Sequence, residues 1–137
     1  MTAKEFLSQA RGMDRRIDKK TERVERIEAR LEAGRLNRLT GMPRGGVSDW
    51  TDTANMLIDM EKDLNSEIRE MCRVKRLVKE AIHAVEKTRW QELLELYYIN
   101  EYTWEQVAET MHLDRRWVTR MHGKALLAVK VPMEFQN

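Results

Sequence analysis

Residues 50–85 read WTDTANMLIDMEKDLNSEIREMCRVKRLVKEAIHAV. Trp50, Ala54, Leu57, Glu61, Leu64, Ile68, Met71, Lys75, Val78, Ile82 and Val85 recur there at alternating steps of four and three. An α-helix turns every ~3.6 residues, so this spacing gathers the set into one narrow stripe, the seam of a coiled coil. A helix so thinly apolar and otherwise so charged does not belong inside a globular core, which predicts that it pairs with another such helix. Ser48 or Asp49 supplies a capping oxygen, predicting a helix from about Trp50 to Lys87.

The same rhythm runs upstream through Ala10, Met13, Ile17, Lys20, Val24, Ile27 and Leu31. Thr2 with Glu5 has the spacing of a capping box, so the first helix is expected from there to about Ala33, ended by Gly34. Residues 34–49, with Gly41, Pro43, Gly45 and Gly46, read as a loop. If the two helices fold back across it, residues whose numbers sum to about 83 face each other. Ile17 then meets Leu64 or Ile68, and Lys20 comes within a turn of Glu61, either neutralising it or reaching separately to water.

A hairpin ~55 Å long buries only one stripe per helix, so a homo-oligomer, a dimer or a four-helix bundle, is expected. The candidate oligomerisation residues are Ile17, Val24, Ile27, Leu57, Leu64, Ile68, Met71 and Val78. Ile58, Met60, Val74, Leu77 and Ala81, off the primary seam, could serve a further helix.

Composition agrees with helix. Of 137 residues, 35% are charged and 42% hydrophobic, with 2 Pro and 6 Gly, which excludes collagen-like and Pro/Gly-rich disordered chains. The single cysteine, Cys72, excludes a disulfide framework within the chain, fits a reducing compartment and, beside Met71, is expected to be a small buried hydrophobe. No run reaches the ~18 apolar residues of a membrane span and no secretory signal is evident, so a cytoplasmic protein without membrane contact is expected. Enzyme chemistry is not expected: His83, His112 and His122 lack metal-ligand spacing, and no Gly-rich phosphate loop follows a strand. No cofactor is called for.

After Lys87 the character changes: residues 88–137 hold three of the four Trp and all three Tyr. The expected division is therefore 1–87, a helical hairpin, and 88–137, a compact domain. Thr88 with Gln91 and Thr103 with Gln106 are boxed helix starts. Trp90, Leu93, Leu94, Tyr97 and Tyr98 have the spacing of an amphipathic helix, which Asn100–Tyr102 should break. Thr103 opens a short helix with Val107, Ala108 and Met111 inward. His112 and Leu113 make a tight turn, and Asp114 caps a helix with Val118, Met121, Ala125, Leu126 and Val129 inward, stopped by Pro132. Two short helices joined by a tight turn, with the small Ala108 at their crossing and a basic outer face on the second, describe a helix-turn-helix. The fold class is thus all-α: a long antiparallel helical hairpin (coiled coil) followed by a compact helix-turn-helix domain.

The run from Leu93 to Val129 resembles region 4 of bacterial sigma factors: Leu93-Leu94, Thr103-Trp104-Glu105-Gln106-Val107-Ala108, Leu113-Asp114, Val118 and Lys124-Ala125-Leu126. The whole chain is similar to phage-encoded ArpU/RinA-type regulators of late transcription, in which a helical N-terminal part precedes a sigma-like helix-turn-helix. That resemblance implies a regulator of phage or prophage late genes acting in the bacterial host cytoplasm, with RNA polymerase as a further candidate partner. His112 stands where sigma-like domains often carry Gly, and Arg115-Arg116-Trp117 is bulkier than many of their recognition-helix starts, so no target sequence carries over.

Charge segregates in support. Residues 88–110 hold one basic residue, Arg89, against Glu92, Glu95, Glu101, Glu105 and Glu109, whereas residues 114–130 hold Arg115, Arg116, Arg120, Lys124 and Lys130 against Asp114. Phosphates favour the second segment and avoid the first. Arg115, Arg116 and Thr119, in the exposed first turn, are the candidates for base edges, and Arg120 and Lys124 for phosphates. Trp117 either meets a thymine methyl or, the favoured reading, packs on its own domain; Thr103 and Gln106 are further backbone contacts. Double-stranded DNA is the expected ligand. A phage small terminase subunit, or a coiled-coil adaptor for RNA polymerase, remain the alternatives.

Overall fold

The structure, a computed structural model, describes residues 1–39 and 47–136. Every regular element in the described residues is helical: α1 (Ala3–Ser8), α2 (Met13–Leu39), α3 (Val47–His83), α4 (Thr88–Leu94) continued by a π-helical turn (Glu95–Ile99), α5 (Trp104–Met111), α6 (Arg115–Ala128) and a 3₁₀ turn (Met133–Phe135). The contacts divide the chain into two units, one formed by residues 15–71 and the other by residues 1–14 together with 72–137.

The first unit is the expected helical hairpin. Val24, Ile27, Leu57 and Leu64 are its buried core, with Leu31 and Ile68 packed against them. Lys20 pairs with Glu67 at 2.7 Å, not with Glu61. Facing residue numbers therefore sum to more than the expected 83 at this level, because both helices run past the predicted loop boundaries. α2 continues through Gly34 to Leu39, and α3 begins at Val47, three residues before Trp50, so Ser48 and Asp49 lie within the helix. The predicted loop residues Gly41, Pro43, Gly45 and Gly46 lie outside the described residues. Gly34 does not end a helix. It lets the two helices approach, since a Cβ there would collide with the indole of Trp50.

The second unit takes in more than the expected 88–137. Phe6, Leu7 and Ala10 of the N-terminal segment share one buried core with Val78, Ile82, Leu93, Tyr98, Met111 and Val118. Val78, expected in the hairpin seam, is fully buried here, and Val74, Leu77 and Ala81 also lie within this unit. The first predicted helix is accordingly two. α1 ends at Ser8, and Gly12 turns the chain at φ 74°, in the left-handed region where glycine is favoured. Thr2 caps α1 by accepting from Glu5 N at 3.1 Å. The Glu5 carboxylate accepts from the Thr2 hydroxyl and not from the backbone, so only half of the box forms. Thr88 caps nothing: Lys87 holds the N-cap position of α4, and Gln91 Nε2 instead donates to the His83 carbonyl at 2.8 Å.

Candidate nucleic-acid interface

α5 and α6 form a helix-turn-helix built as its sequence dictates. Thr103 Oγ1 accepts from Gln106 N at 3.2 Å while Gln106 Oε1 accepts from Thr103 N at 2.9 Å, closing the predicted box. His112 stands at φ 57°, ψ 42°, doing in left-handed geometry what glycine commonly does after a helix. Leu113 N then donates to the Ala108 carbonyl at 2.9 Å, and Asp114 Oδ1 accepts from Trp117 N at 3.0 Å to start α6. Val107, Ala108, Met111, Val118 and Ala125 are buried between α5, α6 and the helices beneath, which fixes the outward face of α6.

Arg115, Arg116, Thr119, Arg120 and Lys124 are all exposed on that face. Arg115 Nη1 is ion-paired with Glu105 Oε1 of α5, so one helix holds a guanidinium of the other. The Thr119 hydroxyl donates to the Arg115 carbonyl at 3.0 Å. The Arg120 guanidinium lies 5.5 Å from the Trp117 ring centroid. Trp117 itself is 54% exposed, so it does not pack on its own domain as favoured above; Val118, one residue on, takes the core position. Leu127, ten residues after Trp117 and 88% exposed, continues the strip Trp117–Arg120–Lys124 at steps of three and four. Thr103 and Gln106 are exposed, but the Thr103 hydroxyl and the Gln106 carbonyl are engaged in the cap. A polar contact from either with a ligand would therefore come chiefly from the Gln106 amide nitrogen.

The support beneath this face comes from residues whose importance sequence reasoning missed. Arg11 Nη1 donates to the Tyr97 carbonyl and, at 3.3 Å, to that of Tyr102. Its guanidinium sits 4.0 Å from the Tyr97 ring, and Trp104, at the start of α5, stacks on that ring at 3.8 Å. Gly12 N donates to the carboxylate of Glu101, itself at φ 60°. Arg89 Nη2 donates to the Met111 carbonyl at 3.1 Å, satisfying an orphan acceptor at the end of α5. The π turn closes with Asn100 N on the Glu95 carbonyl at 2.9 Å.

Behind α6, the buried Tyr98 hydroxyl and His122 Nε2 share a hydrogen bond of 2.8 Å. Burial, aided by the charge of Lys4, lowers the His122 pKa to about 4, and burial raises that of Tyr98, so the pair is neutral near pH 7. Cys72, expected to be buried, is exposed. Among the described residues no helix is long and apolar enough to cross a membrane. No curated protein and no solved structure matches the chain. The profile of one family, described as protein of unknown function (DUF1492), matches residues 37–130, from the last residues of α2 to just beyond α6. The chain belongs to that DUF1492 family.

Proposed function

We infer that the chain is a sequence-specific, double-stranded DNA-binding transcription regulator that lays α6 in the major groove. The observation that carries this reading is the first two turns of α6, where Arg115, Arg116, Thr119 and Arg120 are exposed together on a helix fixed from behind by Val118 and Ala125. Arg115 and Arg116 are the base-reading side chains, because a guanidinium matches the paired acceptors of guanine. Lys124 and Arg120 hold phosphates, and Trp117 offers an apolar contact for a thymine methyl. Glu105 orients Arg115 before DNA arrives.

The likeness of Leu93–Val129 to sigma region 4, and of the chain to ArpU/RinA-type regulators, supports a role in phage or prophage late transcription, in the cytoplasm of a bacterial host. In this reading the hairpin is a homo-oligomerisation element, and the protein is a binding module, not an enzyme. The likeness to sigma region 4 makes RNA polymerase a second candidate partner.

The test is duplex binding measured across a salt series. Affinity should fall steeply with salt, by roughly one counterion per phosphate contact. Arg115→Ala/Arg116→Ala should lose sequence preference. Equal affinity of wild type and this double variant for every duplex tried contradicts the reading, and a ring of many protomers in solution favours the terminase alternative.

A further inference from the structure

The hairpin unit buries few side chains between α2 and α3, and its outer surface is not randomly charged. On α2, Lys19, Arg23, Arg26 and Arg30 follow steps of four, three and four, so they form one basic stripe along the helix, and all four are exposed. On α3, Asp52, Met56, Asp59 and Asp63 follow the same steps, and Met60 lies one turn from Met56. Met56 and Met60 are 61% and 40% exposed, apolar side chains standing in an acidic stripe.

Both stripes lie to the same side of the hairpin, with Asp52 and Asp59 towards the outer edge of α3. Glu67, one turn beyond Asp63, accepts from Lys20 Nζ at 2.7 Å. Its carboxyl is held below the usual range by that hydrogen bond, then by the Lys20 charge and, more weakly, by Arg23. The side of α3 that carries Asp63 and Glu67 is therefore the side on which α2 carries Arg23. Among the described residues, Lys19, Arg26, Arg30, Asp52, Asp59 and Asp63 have no ion-pair partner within the chain.

We propose that this face is a homodimer interface, in which a second copy packs face to face about a two-fold axis parallel to the helices, forming an antiparallel four-helix bundle. The charges select that axis. A two-fold along the helices lays α2 of one protomer over α3 of its partner at the same height, so the basic stripe meets the acidic one. A two-fold across them would lay α2 on α2, basic on basic, which costs affinity.

The heights also match. Lys20–Glu67 and Gly34–Trp50 fix which levels of the two helices face each other. At those levels Arg23 meets Asp63, Arg26 meets Asp59 and Met60, and Arg30 meets Met56 of the other protomer. The aliphatic stems of Arg26 and Arg30 cover the two methionines while their heads reach carboxylates or water. This deepens the oligomeric part of the reading above and is independent of whether α6 binds DNA.

The experiment is sedimentation equilibrium of the full chain at low salt, for wild type and two reversed variants, Arg23→Glu/Arg26→Glu and Asp59→Lys/Asp63→Lys. Wild type should dimerise, more weakly as salt rises. Each reversed variant should keep its helix content and associate with itself at least ~10-fold more weakly, whereas their equimolar mixture should recover a one-to-one dimer. Reversed variants that dimerise like wild type overturn this face while leaving oligomerisation intact. A wild type that stays monomeric at every concentration overturns both.

Should charge reversal unfold the hairpin, single cysteines at positions 30 and 56, each in a Cys72→Ser background, give a second measurement. Arg30→Cys mixed with Met56→Cys should form an interchain disulfide that neither forms alone. Equal cross-linking in all three samples contradicts the two-fold.

Discussion

The two units of this molecule solve the same problem in opposite ways. The hairpin relies on local repetition: heptad spacing places Val24, Ile27, Leu57 and Leu64 on facing stripes, and few other side chains are withdrawn from water. The helix-turn-helix unit relies on closure at a distance: Phe6 and Leu7 share a core with Val118 and Ala125, and Phe6 meets Phe135 at 5.0 Å between ring centroids. The difference teaches that α6 does not rest on α4 and α5 alone. Its scaffold is completed by the first fourteen residues and by the last turns of α3.

That comparison can be broken by substitution. Phe6→Ala removes a fully buried ring from the larger core and should destabilise the helix-turn-helix unit by about 3–5 kcal/mol. Denaturant unfolding followed by tryptophan fluorescence reads it, and a loss under 1 kcal/mol would detach the N-terminal segment from that core. Leu64→Ala in the thinner hairpin should cost somewhat less, about 2–3 kcal/mol, because a site near solvent relaxes more easily around the cavity. An equal or larger loss there would mean that the hairpin core is as closed as the other.

pH separates the units further, since His122 belongs to only one of them. Its folded pKa, about 4, lies below the ordinary histidine value of 6.5, so the unfolded chain takes up the proton first. The stabilisation is thus present above about pH 6.5 and is lost as pH falls towards 4. Allowing for the partial exposure of the ring, the loss should be about 1 kcal/mol by pH ~5. His122→Phe should flatten this part of the stability profile; an unchanged slope would contradict the role given to the pair with Tyr98. The smallest effect is expected from Thr103→Ala, which opens the cap of α5 for roughly 1 kcal/mol. Comparison of amide exchange at Gln106 and Val107 between the two proteins measures it.

What was legible in the sequence follows the same division. Periodicity revealed the seam, and the local chemistry of Thr103, Gln106 and Asp114 revealed the start of each helix of the helix-turn-helix, because both signals are carried by near neighbours. The break at Gly12 was hidden, because the heptad rhythm of Ala10 and Met13 runs straight across it; the turn depends on Glu101 and Tyr97, far along the chain. Glycine commonly ends a helix, which is what the sequence predicts for Gly34, whereas its actual role, making room for Trp50, requires knowing which residue faces it. Of the candidate interface, the exposed positions on α6 followed from the alternation of buried and exposed residues. Trp117 differs: packing on its own domain is the favoured reading of the sequence, whereas Val118 takes the core position.

The claim that α6 reads DNA is tested most directly by selecting bound duplexes from a random pool with wild type, Arg115→Ala and Lys124→Ala. Wild type should enrich a defined site; Arg115→Ala should lose about 1–3 kcal/mol of discrimination at one base pair, and Lys124→Ala should weaken all sequences alike. Pools that remain random with the wild-type protein, or that yield the same enriched site and the same affinities with all three, would contradict it.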